Sequence, residues 1–123
     1  MDPVLKKLVF KGQSPVLLLS TTTELKGLSK KFGVTVHTAA KGKYSFVLAF
    51  VTSLAEGEKL GKGLKKVLEE GCVLWVAYPK GTSKKYKSDH NRDTGHALMA
   101  KYGFDGVSLI SLSDDWSAMR FKF

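Results

Sequence analysis

The chain has 123 residues, a length suited to one domain that buries roughly two-thirds of the surface its unfolded form exposes. Its hydrophobic content of 43% and charged content of 25% describe an ordinary globular protein; no apolar run reaches the ~20 residues that cross a bilayer, and one cysteine excludes an internal disulfide. The formal charge of +9 raises the prospect of nucleic-acid binding, but only Arg92 and Arg120 of the 20 basic residues are arginines, the residue suited to bidentate phosphate and base contacts.

The remaining basic residues are lysines, spread in pairs such as Lys6 and Lys7, Lys30 and Lys31, Lys65 and Lys66, and Lys84 and Lys85, a pattern that reads first as a solvated basic surface. The start at Asp2 and Pro3 does not resemble a signal peptide, so a cytoplasmic location is the simplest expectation. Residues 1–123 are expected to form a single α/β domain.

Residues 4–10 read as a helical turn or an arm lying on the domain. Residues 15–20 are a first strand, apolar on both faces. Thr21 and Glu24 have the capping-box spacing, Leu25, Leu28 and Phe32 share one helical face, and Gly33 is placed to stop that helix. A short second strand follows at 34–37, and a basic turn at 39–43. A third strand at 45–51 is again apolar throughout.

Ser53 and Glu56 repeat the capping-box spacing, and Leu60, Leu64, Val67 and Leu68 form a stripe predicting one helix that stops at Gly71. Residues 72–78 have almost no polar side chain and read as the central strand, covered on both faces and ended by Pro79. A basic, hydroxyl-rich loop follows. A third helix is predicted from about Asn91 to Gly103, with Leu98 and Tyr102 facing inward. A strand at 107–112 and one at 116–123 are joined by too few residues for a crossover, so they form an antiparallel hairpin.

This succession predicts an α/β, three-layer, Rossmann-like fold. Its six-stranded sheet is mostly parallel, in the order 2-1-3-4-6-5, with the last strand antiparallel and helices on both faces. The ends of strands one, three and four, the third carrying Thr52 and Ser53, and the hairpin turn then share the carboxyl edge, where α/β sheets bind ligands. Ser20, Thr21, Thr22, Tyr78, Pro79, Lys80, Thr82, Ser83, Asp115 and Trp116 are the candidate ligand-binding residues. Trp116 either packs over the end of strand four or lines the crevice with Tyr78.

Residues 46–51, 64–71, 73–80 and 114–121, above all the Trp75–Pro79–Lys80 strand end and the Asp115–Trp116–Ser117 hairpin, resemble a small uncharacterised bacterial family. That family is similar to a shortened class I methyltransferase. The resemblance covers roughly residues 12–123 and implies the fold but no established activity. Methyltransferases usually carry a glycine-rich loop after strand one, where the backbone approaches adenosylmethionine. Residues 20–24 read Ser, Thr, Thr, Thr, Glu, without glycine, so no cofactor is expected.

Other chemistry-bearing residues have plainer readings. The segment Lys80 to Lys85 has the composition of a phosphate loop without the Walker spacing. His90 and His96, six apart, lack helical zinc-ligand spacing, so no metal is expected. His37 reads as a surface residue, Cys72 as inert packing, and Asp114 with Asp115 as a turn. No catalytic set appears. The favoured expectation is a non-enzymatic module binding a small ligand or protein partner at the carboxyl edge, away from membranes. The alternatives are a reduced methyltransferase-like group-transfer enzyme and lysine-mediated nucleic-acid binding.

Overall fold

The computed structural model describes residues 3–19, 27–80 and 92–123. Six strands form one sheet in the order β2-β1-β3-β4-β6-β5, as the sequence predicted. They are β1 (Val16–Leu19), β2 (Val36–His37), β3 (Tyr44–Phe50), β4 (Leu68–Pro79), β5 (Asp105–Ser111) and β6 (Trp116–Lys122). β1 pairs in parallel with both β2 and β3, and β3 with β4; β6 runs antiparallel to β4 and β5.

β4 carries the architecture because both of its faces are buried. Val73, Trp75 and Ala77 enter one apolar cluster, while Cys72, Leu74, Val76 and Tyr78 enter the other, following the two-residue period of a strand. The first cluster is closed by α1 (Pro3–Lys7) and by the segment ending α2 (Leu28–Lys31), through Leu5, Leu8, Phe10 and Phe32. The Trp75 indole donates from Nε1 to the Leu8 carbonyl oxygen at 2.7 Å, satisfying the one polar atom of that buried ring. The second cluster is closed by α3 (Leu54–Gly63), the 3₁₀ turn Leu64–Val67 and α4 (Arg92–Lys101).

The long helix expected between Ser53 and Gly71 is corrected. α3 begins as read, with Ser53 Oγ accepting from the Glu56 backbone N–H at 3.2 Å, but stops at Gly63. Leu64 and Leu68 are buried as the stripe required, yet Leu68 already belongs to β4, paired with Tyr44. Between that pair and Phe46↔Val73 the register shifts, and Glu69, Glu70 and Gly71 are the exposed extra residues on β4. Gly71, at φ +76, serves this bulge, not a helix end. Glycines at 61 and 63 weaken the helix where the stripe alone would extend it.

Among the described residues of α4, Leu98 and Met99 are buried; Tyr102, just past its end, faces inward as expected and packs against the same side's cluster. Tyr102 is half-buried, and its hydroxyl donates to the Glu58 carboxylate, which Lys101 also meets at 3.1 Å. Those hydrogen bonds hold the Glu58 carboxyl below the usual range. A Cβ on Gly61 would lie 2.5 Å from the Tyr102 ring, so glycine sets the approach of α3 to α4. The capping pair Thr21 and Glu24 and the basic loop after Lys80 lie outside the described residues. Among those described, no helix is long and apolar enough to cross a membrane.

Candidate functional site

At the β4–β6 end of the carboxyl edge, the hairpin turn meets the end of the central strand. Pro79 pairs with Trp116 and Tyr78 with Ser117, and the Lys80 backbone N–H donates to the Asp115 carbonyl oxygen at 2.8 Å. Trp116, at 0% exposure, is core: its ring stands edge-on to Phe50 with centroids 5.3 Å apart. Tyr78 points to the other face of the sheet and is also buried, which pushes its phenol upward. A Cβ on Gly95 would come within 2.3 Å of Tyr78 Cζ, so α4 passes directly over this ring.

Lys80 Nζ donates to Ser111 Oγ at 2.7 Å, turning its charge along the hairpin. Asp115 is half-buried in the turn, with its backbone N–H donating to Ser113 Oγ at 3.3 Å. Ser20, Thr21, Thr22, Thr82 and Ser83 lie outside the described residues. The candidates that are described thus come together in space, but as a packed, hydrogen-bonded corner.

The open space lies two strands away. The chain leaves β1 toward β2 on one side and returns to β3 on the other, so β1 and β3 flank the point where the winding reverses. In open α/β sheets that reversal parts the connections and leaves a crevice at the carboxyl ends. A cavity of about 330 Å³ occurs here, lined by Leu19, Ala49, Phe50, Val51, Glu56, Lys59 and Leu60. Its floor is the end of β1 and β3, and α3 supplies one wall.

The polar groups of this cavity are set by the start of α3. Thr52 Oγ1 donates to Glu56 Oε1 at 2.7 Å, and Ser53 Oγ caps the same residue's backbone N–H. Glu56 is thereby held at the rim, with Lys59 three residues on. The Val51 backbone N–H donates to the Ala77 carbonyl oxygen at 2.9 Å, which ties the end of β3 to β4. The arrangement is an apolar slot with one oriented carboxylate and one ammonium at its mouth.

These lining residues were missed in the sequence, where Glu56 was read only as a capping partner. The signal was present: the predicted strand order already contained the reversal at strand one.

Other chemistry-bearing residues have structural roles. His37 Nδ1 lies 2.7 Å from the Tyr44 hydroxyl, which also accepts from the Lys41 backbone N–H at 2.9 Å, pinning the short connection from β2 to β3. Cys72 is buried, and desolvation with the nearby Glu69 charge pushes its thiol up to about 12. His96 is 3.9 Å from Asp105, and no group of three His, Cys, Asp or Glu suited to a metal occurs among the described residues.

No family model and no curated protein sequence matches the chain, so the resemblance to a small bacterial family finds no sequence support. Solved structures do match. Aeropyrum pernix fibrillarin with natively bound S-adenosyl-L-methionine is 9% identical, with TM-score 0.53 over 86% of this chain and 54% of that one. N-methyltransferase NodS from Bradyrhizobium japonicum is 9% identical, with TM-score 0.56 over 85% and 71%. A methyltransferase from Pyrococcus furiosus is 10% identical, with TM-score 0.57 over 96% and 78%.

The chain spans about half the length of the fibrillarins it matches. The expectation of a non-enzymatic module is corrected by these neighbours, which favour the enzyme alternative. At such identities the likeness is one of fold: this chain has the Rossmann-like fold of the S-adenosylmethionine-dependent methyltransferases, with the sheet order β2-β1-β3-β4-β6-β5.

Proposed function

We propose that the chain is a methyltransferase-like enzyme that seats the nucleoside part of S-adenosylmethionine in the cavity between the ends of β1 and β3. The observation that carries this reading is the position of that cavity at the winding reversal of a fold shared with methyltransferases. About 330 Å³ lies at the small end of the range for ligand pockets, and is suited to a nucleoside more than to an entire extended cofactor. The described residues fit that group. Leu19, Val51 and Leu60 offer apolar walls to a purine, and Glu56 offers acceptors to ribose hydroxyls, the role a carboxylate plays in other Rossmann-like sites.

Thr52 holds Glu56 in place, so little side-chain entropy is lost on binding. Residues 20–24, which follow the lining residue Leu19 and carry no glycine, lie outside the described residues. When bound, the cofactor supplies a methyl group on a sulfonium centre. The chain's part is to bind, orient and exclude water from the seat.

Calorimetric titration with S-adenosylmethionine and S-adenosylhomocysteine tests the reading. Saturable binding of either, lost in Ala49→Leu, is expected. Absence of heat for both, or binding that ignores Ala49→Leu, overturns it.

A further inference from the structure

The lysines are not distributed alike on the two sides of the sheet. On the α3–α4 side, Lys59, Lys62, Lys65 and Lys66 are exposed, but carboxylates stand among them. Glu58 bonds Lys101 and feels Lys62, Glu56 precedes Lys59 by one turn, and Lys65 Nζ sits 5.5 Å from the centre of the Phe104 ring. On the α1–α2 side, Lys6, Lys7, Lys11 and Lys30 are exposed, and neither residues 3–19 nor 27–35 contain a single Asp or Glu. Lys7 Nζ also reaches the Ser111 carbonyl oxygen at 3.5 Å.

These lysines share one side because Leu5, Leu8, Phe10 and Phe32, their chain neighbours, enter the same apolar cluster. The Phe10 and Phe32 rings lie 4.8 Å apart, which brings the two lysine-bearing segments together. A cationic surface with no acid interspersed in its described segments attracts a polyanion by charge alone.

We propose that the α1–α2 side is a docking surface for the phosphate backbone of duplex nucleic acid, read without regard to sequence. Three observations choose this partner. Lysine is a hydrated point charge that meets phosphates but does not make the bidentate base contacts of arginine. The aromatic rings of this layer are buried, so no platform stacks the bases of a single strand. None of the exposed large apolar residues among those described, Leu54, Val107, Leu109 and Phe123, is on this layer, so its described part shows no apolar face of the kind by which helices enter membranes. The surface lies on the opposite side of the sheet from α3 and its cavity wall, so this inference does not depend on cofactor binding.

Two variants of equal charge separate this surface from net charge. Lys6→Gln/Lys7→Gln/Lys11→Gln/Lys30→Gln is compared with Lys59→Gln/Lys62→Gln/Lys65→Gln/Lys66→Gln in the full chain, without cofactor. Fluorescence anisotropy follows short duplexes of two unrelated sequences through a salt series, and circular dichroism verifies folding. Four phosphate contacts give a slope of about −3.6 in log affinity against log salt, a loss of roughly a hundredfold between about 50 and 200 mM.

The first variant is expected to abolish most of that slope, the second to retain most of it, and both sequences to bind alike. Equal losses in the two variants overturn the proposal, as does absence of duplex binding at low salt. Tighter binding to single strands, to polyglutamate or to anionic phosphatidylserine vesicles than to the duplex overturns it too.

Discussion

The two parts of the carboxyl edge, β1–β3 and β4–β6, share an apolar interior but end differently. At β4–β6 an antiparallel partner keeps the ladder paired out to Pro79↔Trp116, and the returning chain brings a tryptophan that fills the corner against Phe50. At β1–β3 the strands are parallel and their connections leave in opposite directions, so no described segment returns across the gap; the side chain between Val47 and Val51 on that face is only an alanine. A hairpin closes the end of a sheet; a winding reversal opens it. Aromatic residues at a strand end therefore say less about a binding site than the direction of the neighbouring strand.

The contrast is broken most severely by Trp116→Ala. Removing a fully buried indole should cost about 3–5 kcal/mol in chemical denaturation, while nucleoside binding persists in the folded fraction, weakened only as far as Phe50, which meets both the ring and the cavity, shifts. Loss of binding with little change in stability would instead put the ring in the site. Next comes Leu64→Ala, beneath the α3 side, with an expected loss of about 2–5 kcal/mol, against near silence for the exposed Lys62→Ala.

The open end is sharpened by filling it. Ala49→Leu should shift stability by no more than about 2 kcal/mol either way, because the added atoms enter existing space, yet should abolish adenosylmethionine binding measured by calorimetry. Glu56→Gln keeps the shape and removes the charge. A hydrogen bond to a charged group contributes about 1.5–3 kcal/mol, so at least a tenfold weaker dissociation constant is expected.

The smallest effect concerns neither end. The Cys72 thiol is pushed from 9.0 up to about 12 in the folded chain. The unfolded thiol loses its proton from about pH 9, where the folded one keeps it. The stability this difference provides is complete below pH 9 and is lost progressively as pH rises toward 12. Cys72→Ala should therefore show a shallower decline than the parent over that window in denaturant titrations. Parallel declines would mean that the thiol is not protected by burial.

Much of the fold was legible in the sequence because its signals are local. Residues 72–78 announce a strand buried on both faces, and the short 113–115 turn permits only a hairpin. Ser53 with Glu56 announces the start of α3, and connection rules convert these into the observed strand order. The end of α3 was not legible. The apolar stripe from Leu60 to Leu68 is satisfied equally by a continuing helix and by a 3₁₀ turn entering a strand, and the pairing of Leu68 with Tyr44 decides between them. The side of the edge holding the cavity follows from the reversal at strand one, which the predicted order contained; that the other side is filled was settled by tertiary contacts. Whether Trp116 fills a corner or faces a crevice depends on Phe50, 66 residues earlier in the chain, and no local pattern encodes that contact.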